Sequence, residues 1–386
     1  MFDPASDPAR PRGCALFVNG KARWGVCLVA FLIACLACHG FAGNWDVARA
    51  GWKYEFPRDH GNHGTFKTEW WYFTGNVRSA KGDEFGYQLT FFRQGVVPPG
   101  GELPGSSFLK RDVPFAHFAV TEIQTGKFHH FQRVRRGVFG EAGFEKDGRL
   151  AWVGNWTCEQ TAENEFRLKA GQDGVAIDLA LKSLKDPVAH GVDGISRKGE
   201  GEGRASHYYS LTRMLTRGTI RIGGKVQAVE GLSWFDHEWA TNQLSPNQAG
   251  WDWFSLQFED GSELMLFQIR RKEGGRDSNS AGTFVGADHV ANEITNGEFR
   301  LTPTTWWTSP GTGGRYPVAW EISIPTRGIE LTVRALVDGQ ELAGDPFSYW
   351  EGAVKAAGRV GGKPKQGRGY LEMTGYAGEV VGIGSR

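Results

Sequence analysis

Three ionisable side chains stand consecutively between aromatic rings in the run Trp234-Phe235-Asp236-His237-Glu238-Trp239. On a strand, Asp236 and Glu238 point one way and His237 the other, with Trp239 following in alternation. An aspartate flanked by Trp and Phe is partly desolvated. Burial disfavours the charged carboxylate and raises its pKa, which makes a general acid usable near neutral pH. The competing structural reading has Asp236 and His237 capping a bend and bonding backbone at a barrel rim.

A second run, Glu69-Trp70-Trp71-Tyr72-Phe73, follows His60 and His63 closely. On a strand, Glu69, Trp71 and Phe73 share one face, and Trp70 and Tyr72 the other. One set lines a barrel interior while the other packs outside against a second domain. Burying Glu69 is costly without a partner, and Arg93, at the end of the next predicted strand, is available. Asp236, His237 and Glu69 are therefore the candidate catalytic residues. Trp70, Trp71, Tyr72, Trp234, Trp239 and Trp253 are the candidate ligand-binding rings. The expectation is one pocket, in the first barrel or at the junction of two. There Asp236 is the general acid, His237 orients it or a water, and Trp71 and Trp239 bound the apolar cavity.

Two other histidine groups, His60 and His63 with Asp59, and His129-His130, match no zinc spacing, and adjacent histidines on a strand face opposite ways. No metal and no cofactor are expected, and His60 and His63 read as hydrogen bonds closing a loop. No G-x-S-x-G elbow is present, so a Ser-His-Asp hydrolase has no support. Cys158 sits in an alternating run with no histidine nearby in sequence, a poor setting for a nucleophile.

The elements that must position these residues read as strands. Apolar residues alternate in Phe85, Tyr87, Leu89, Phe91, in Val175, Ile177, Leu179, Leu181, and in Ile329, Leu331, Val333, Ala335, Val337. Gly223-Gly224 fits a two-residue hairpin turn. Only Tyr349–Ala357 admits a short helix. Residues 193–204 and 358–369, rich in glycine and charge, read as surface loops. Residues 70–93 match 251–270: each has a Trp-aromatic start, a strand, a Gly-x-Glu turn and a second strand ending in Arg. That self-similarity suggests a duplicated unit. The chain reads as all-β, with two tandem antiparallel β-barrels spanning 45–245 and 246–386.

The chain has 386 residues and a formal net charge of +1. Near-neutral charge argues against a nucleic-acid binder. Lys21 and Arg23 precede the apolar run 25–38, and small residues follow, so residues 1–42 read as a secretory signal cleaved after Ala42. In the alternative reading Leu32-Ile33-Ala34-Cys35 is a lipobox and Cys35 carries a lipid anchor. Of the five cysteines, Cys158 alone lies beyond this segment. No membrane span is expected in the mature chain.

Four stretches carry a family resemblance: FPRDHGNHGTFKTEWWYFTGNV, GLSWFDHEWATNQL, GWDWFSLQFEDGSELMLFQIR and GRGYLEMTGY. In that order they resemble the AttH and carotenoid 1,2-hydratase (CrtC-like) family over nearly the whole chain after the signal. The resemblance implies two lipocalin-like barrels. The family includes carotenoid hydratases, which add water to an isoprenoid double bond, and bacterial members called secreted hydrolases, some encoded beside ABC-transporter permeases. Such a likeness fixes fold better than reaction. The leading expectation is a secreted or periplasmic protein that binds an apolar, isoprenoid- or lipid-like molecule. As an enzyme it hydrates a carbon–carbon double bond or hydrolyses an apolar substrate. The rival is a non-catalytic module presenting a ligand to an ABC-type envelope transporter.

Overall fold

The structure, a computed structural model, describes residues 43–103, 110–344 and 348–379. The export segment 1–42 and the proposed lipid attachment at Cys35 lie outside the described residues.

Alternation makes strands almost throughout. The first sheet contains β1 (Thr68–Ser79), β2 (Glu84–Gly95), β3 (Asp112–Glu122), β4 (Lys127–Val134), β5 (Ala142–Phe144) and β6 (Ala151–Val153). It continues with β7 (Trp156–Ala162), β8 (Glu165–Gln172), β9 (Val175–Ser183), β10 (Val188–Ala189), β11 (Ser196–Arg197), β12 (Ala205–Ile222) and β13 (Lys225–Ala240). The main spatial order is β4-β3-β2-β1-β13-β12-β9-β8-β7-β6-β5, with β10 and β11 alongside β12.

The second sheet begins with β14 (Gln248–Phe258), β15 (Glu263–Arg271), β16 (Ala281–Val285), β17 (Ala291–Ile294) and β18 (Arg300–Thr308). It ends with β19 (Arg315–Ile324), β20 (Ile329–Ala335), β21 (Glu341–Leu342), β22 (Tyr349–Val360) and β23 (Lys363–Met373). Its order is β17-β16-β15-β14-β23-β22-β20-β19-β18, with β21 beside β22. The two tandem lipocalin-like barrels are thus present as two curled antiparallel half-barrel sheets. No ladder joins β4 to β5, or β17 to β18, among the described residues.

In each sheet the first strand lies between the second and the last: β1 pairs with β2 and β13, and β14 with β15 and β23. The repeat seen in the sequence is this strand pair. It also repeats an ion pair, Glu69–Arg93 in the first sheet and Asp252–Arg270 in the second. The turn between β12 and β13 is Gly223-Gly224, with φ of 56° and 84°. Both values lie in the left-handed region that glycine enters without a Cβ clash.

Two expectations fail. Tyr349–Ala357 is strand, not helix. Residues 349–354 are all buried, so the strand is covered on both faces and shows no apolar–polar alternation. Residues 358–369 are not a loop but the tip of the β22–β23 hairpin, where charged residues occupy the exposed end.

Three large apolar clusters hold the described residues together. One fills the first half-barrel around Trp71, Phe73, Trp156, Phe235 and Trp239; Trp52, Tyr54 and Phe56, ahead of β1, pack into it. The second fills the other half-barrel around Trp320 and Trp350. The third lies between the sheets and joins Tyr72, Tyr208 and Trp234 to Trp253, Phe267 and Tyr370. Buried aromatics of this size each remove about 150–250 Å² from water.

Candidate functional site

The β1–β13 ladder decides where each candidate residue goes. Its register sets Glu69 opposite Trp239, Trp71 opposite His237, Tyr72 opposite Asp236, and Thr74 opposite Trp234. The aromatic–carboxylate runs therefore lie side by side, because the first and last strands of the sheet are neighbours. Strand parity then divides them. Glu69, Trp71, His237 and Trp239 face the interior of the first half-barrel. Trp70, Tyr72, Trp234 and Asp236 face the second sheet, where Trp253 meets them. The expectation of one shared pocket is corrected on this point: Asp236 and His237 are consecutive and so stand on opposite sides of the same wall.

On the interior side, Glu69 is fully buried and held from several directions. Its Oε1 lies 2.8 Å from His63 Nδ1 and 3.0 Å from His237 Nε2. Its Oε2 accepts from Arg93 Nε at 3.0 Å, so the partner expected for Glu69 is in place. The His63 backbone N–H donates to the same carboxylate at 3.0 Å. Burial alone would raise the Glu69 pKa, but His237, His63 and the Arg93 charge around it outweigh it and hold the carboxyl below its usual range. Burial holds His237 below the usual histidine range, against the pull of Glu69. Around them His63 stacks on Trp239 with centroids 3.7 Å apart, and Trp71 stacks on His237 at 4.7 Å. His60, expected to close a loop, is buried and bonds Tyr209 and Asn164. This side is packed solid by the segment ahead of β1.

The other side opens into a pocket between the two sheets. It holds about 90 Å³ of space open to water-sized molecules, less than the roughly 300–1,000 Å³ typical of small-molecule sites, so a ligand must displace lining side chains to enter. Trp70, Tyr72, Phe92 and Tyr208 come from the first sheet; Trp251, Trp253, Phe267 and Ile269 from the second. Tyr72 meets Trp253 edge-on at 5.3 Å, and Trp253 Nε1 donates to the Tyr208 hydroxyl at 3.0 Å.

Into this aromatic space project Asp236, Glu238, Glu351 and Glu372. Asp236 Oδ1 accepts from Trp234 Nε1 at 2.7 Å and from the Ser210 hydroxyl. Burial outweighs both bonds and pushes Asp236 up to about 7. Burial pushes Glu372 up to about 8, against a bond from Trp251. Glu351 lies opposite Glu372 across β22 and β23. Burial, reinforced by the Glu372 charge, raises it well above the carboxylate range. The Tyr72 hydroxyl donates to Glu351 Oε1, while Oε2 is buried and meets no hydrogen-bonding partner among the described residues. Glu238 differs: it pairs with Lys198 at 3.2 Å and accepts from Gln243 at 3.1 Å.

Sequence reasoning missed Glu351 and Glu372. Glu372 stands between Leu371 and Met373 in a quoted family stretch, and that apolar flanking was the signal available. Glu351 was hidden by the helical reading of its strand.

The pair makes a testable contribution to stability. Unfolded, Glu372 ionises near 4.5; folded, it does so only near 8. Between these values the unfolded chain has released a proton that the folded chain retains, so this residue makes stability fall as pH rises through the window. In denaturant titrations from about pH 5 to about 8, Glu372→Gln should lose less stability than the unaltered chain. Parallel slopes would show that the acid is not buried as described.

A family model described as AttH-like matches residues 47–376. The crystal structure of an AttH from Nitrosomonas europaea superposes with a TM-score of 0.76 at 32% identity, covering 86% of this chain and 99% of that one. Kievitone hydratase from Nectria haematococca shares the fold, with a TM-score of 0.67 at 17% identity, over 87% of this chain and 97% of that one. The dehydratase asqC of Emericella nidulans is 24% identical over 273 residues, 66% of this chain and 75% of the relative. With a model match across both sheets and a solved relative of nearly full coverage, the chain belongs to the AttH-like family.

Proposed function

We propose that this protein is a hydro-lyase, adding water to or removing it from a carbon–carbon double bond of an apolar substrate held between the two sheets. The observation that carries this reading is the convergence of three buried carboxyls, Asp236, Glu351 and Glu372, on one aromatic pocket. Two relatives bear names, a hydratase and a dehydratase, that describe the two directions of such a reaction.

Hydration needs a proton delivered to one alkene carbon, water added to the other, and a base to take the proton that water loses. Glu351 and Glu372, kept neutral by burial, hold protons at neutral pH, and Glu351 Oε2 has no hydrogen-bonding partner among the described residues that would compete with a substrate. Asp236 accepts the proton released from water. Tyr72 links the two ends, since it faces Asp236 across the ladder and donates to Glu351. The faces of Trp70, Trp251 and Trp253 steady positive charge developing on carbon through the ring quadrupole. Dehydration reverses each transfer.

The test is incubation in ¹⁸O-labelled water with a panel of isoprenoid alkenes, allylic alcohols and hydroxylated aromatics, followed by mass spectrometry. A product gaining labelled water, or a substrate losing water, is the expected result. Compounds that bind the pocket and are recovered unlabelled and unchanged would make the protein a carrier instead.

A further inference from the structure

The interior cluster carries a proton count that does not close by itself. His60 Nε2 lies 2.9 Å from Asn164 Oδ1, an acceptor, so Nε2 bears the ring hydrogen. His60 Nδ1 then accepts from the Tyr209 hydroxyl at 2.6 Å. With its hydrogen committed, Tyr209 can only accept from His237 Nδ1, 3.3 Å away. The Asp59 carbonyl, 2.9 Å from that same Nδ1, is also only an acceptor. His237 Nδ1 therefore carries a hydrogen. A neutral ring has none left for Nε2. A ring lone pair thus points at Glu69 Oε1. His63 faces the same Glu69 oxygen through Nδ1, with its Nε2 3.3 Å from Asp59 Oδ1.

We propose that His63, Glu69 and His237 bind one divalent first-row transition-metal ion inside the first half-barrel. Their three ligand atoms lie within 4.8 Å of one another. Two imidazoles and a carboxylate are a donor set used by zinc and by non-haem iron. The surroundings supply what such ligands need. Asp59 holds the outer nitrogen of both rings, one through its carbonyl and one through its carboxylate. Arg93 holds the second oxygen of Glu69. Outer partners of this kind fix tautomer and ring orientation. Tetrahedral bonds of about 2.0 Å set ligand atoms roughly 3.3 Å apart, so the observed 2.8 and 3.0 Å separations open by a few tenths of an ångström on binding. The ion ties the segment carrying His63 to β1 and β13. It lies on the face opposite the junction pocket and takes no part in the proton transfers there.

The experiment strips the protein with a chelator and titrates it separately with Zn²⁺ and Co²⁺. One ion per chain is expected, with a rise in Tm for Zn²⁺ and visible ligand-field absorption of a low-coordinate site for Co²⁺. Uptake should weaken by more than the roughly 10–100-fold that loss of an outer partner alone costs, both in Glu69→Gln and in His63→Gln, each checked for folding by circular dichroism. His63 is the least enclosed of the three ligands, at 10% side-chain exposure, so His63→Gln carries the test even where Glu69→Gln does not fold. A control replacing His129 and His130 on β4 by Gln should bind as the unaltered chain does. No uptake by the folded protein, or equal uptake by His63→Gln, overturns the proposal; an extra ring proton then occupies the cluster.

Discussion

Glu351→Gln is expected to lower turnover about 10²–10⁴-fold, the usual loss when a general acid is removed, with the fold retained. The amide keeps an oxygen to accept the Tyr72 hydroxyl and removes the proton that the unpaired Oε2 can deliver. It also removes an acid that must stay neutral while buried, so Tm should hold or rise. Asp236→Asn should lose turnover on the same scale, because the amide oxygen still accepts from Trp234 and Ser210 while the group can no longer exchange a proton. Tyr72→Phe deletes only the donor and should cost less than either. Rates per folded molecule, measured on whichever panel compound reacts, decide the matter. A Glu351→Gln protein with unreduced turnover would take the acid role away from this residue. If the acid and base act as one unit, the double variant should lose much less than the product of the single losses.

Glu263→Ala is expected to destabilise the protein by about 3–5 kcal/mol, the scale for breaking a buried ion pair on one side. Glu263, in the second sheet, is fully buried and accepts from Lys185 Nζ at 2.7 Å and Arg213 Nε at 2.5 Å, the one following β9 and the other on β12 of the first sheet. Lys185 also donates to the carbonyls of Gly261 at 2.6 Å and Gly286 at 2.9 Å. Arg213 Nη2 reaches the Phe258 carbonyl at 2.8 Å. Two cations thus grip the β14–β15 turn, and without Glu263 they face each other with no countercharge. Lys182→Ala, which removes the exposed partner of Glu165, should change stability by no more than about 1 kcal/mol. Denaturant midpoints compare the two, and similar shifts would mean that this contact does not hold the sheets together.

The strand content was legible because one-sided burial prints alternation directly into sequence. The side-by-side placement of Glu69–Phe73 and Trp234–Trp239 was legible for a similar reason, since the two runs begin and end one sheet. Alternation also separates Asp236 from His237 without further information. It does not say what covers each face. Glu351 and Glu372 reach the pocket only because the second sheet curls its last strands beside β14, and no local pattern around Tyr349 encodes that curl. The approach of His63 to His237 depends in turn on a segment folding back into the half-barrel, held by contacts remote in sequence such as Tyr54 with the Tyr208 carbonyl.

The wall between acid pocket and histidine cluster is one strand thick, and β13 serves both sides by parity alone. Losing one residue from it would send Asp236 inward and His237 outward, exchanging the contents of two chambers in a single event. Losing two would restore the parity while moving each side chain one place along the wall. The long β12–β13 hairpin already contains one such irregularity, a register shift between Leu211 and Met214 on β12, and it falls just beyond the Leu211–Phe235 pair. A one-residue change in β13 therefore exchanges the two chambers unless a bulge like the one on β12 absorbs it.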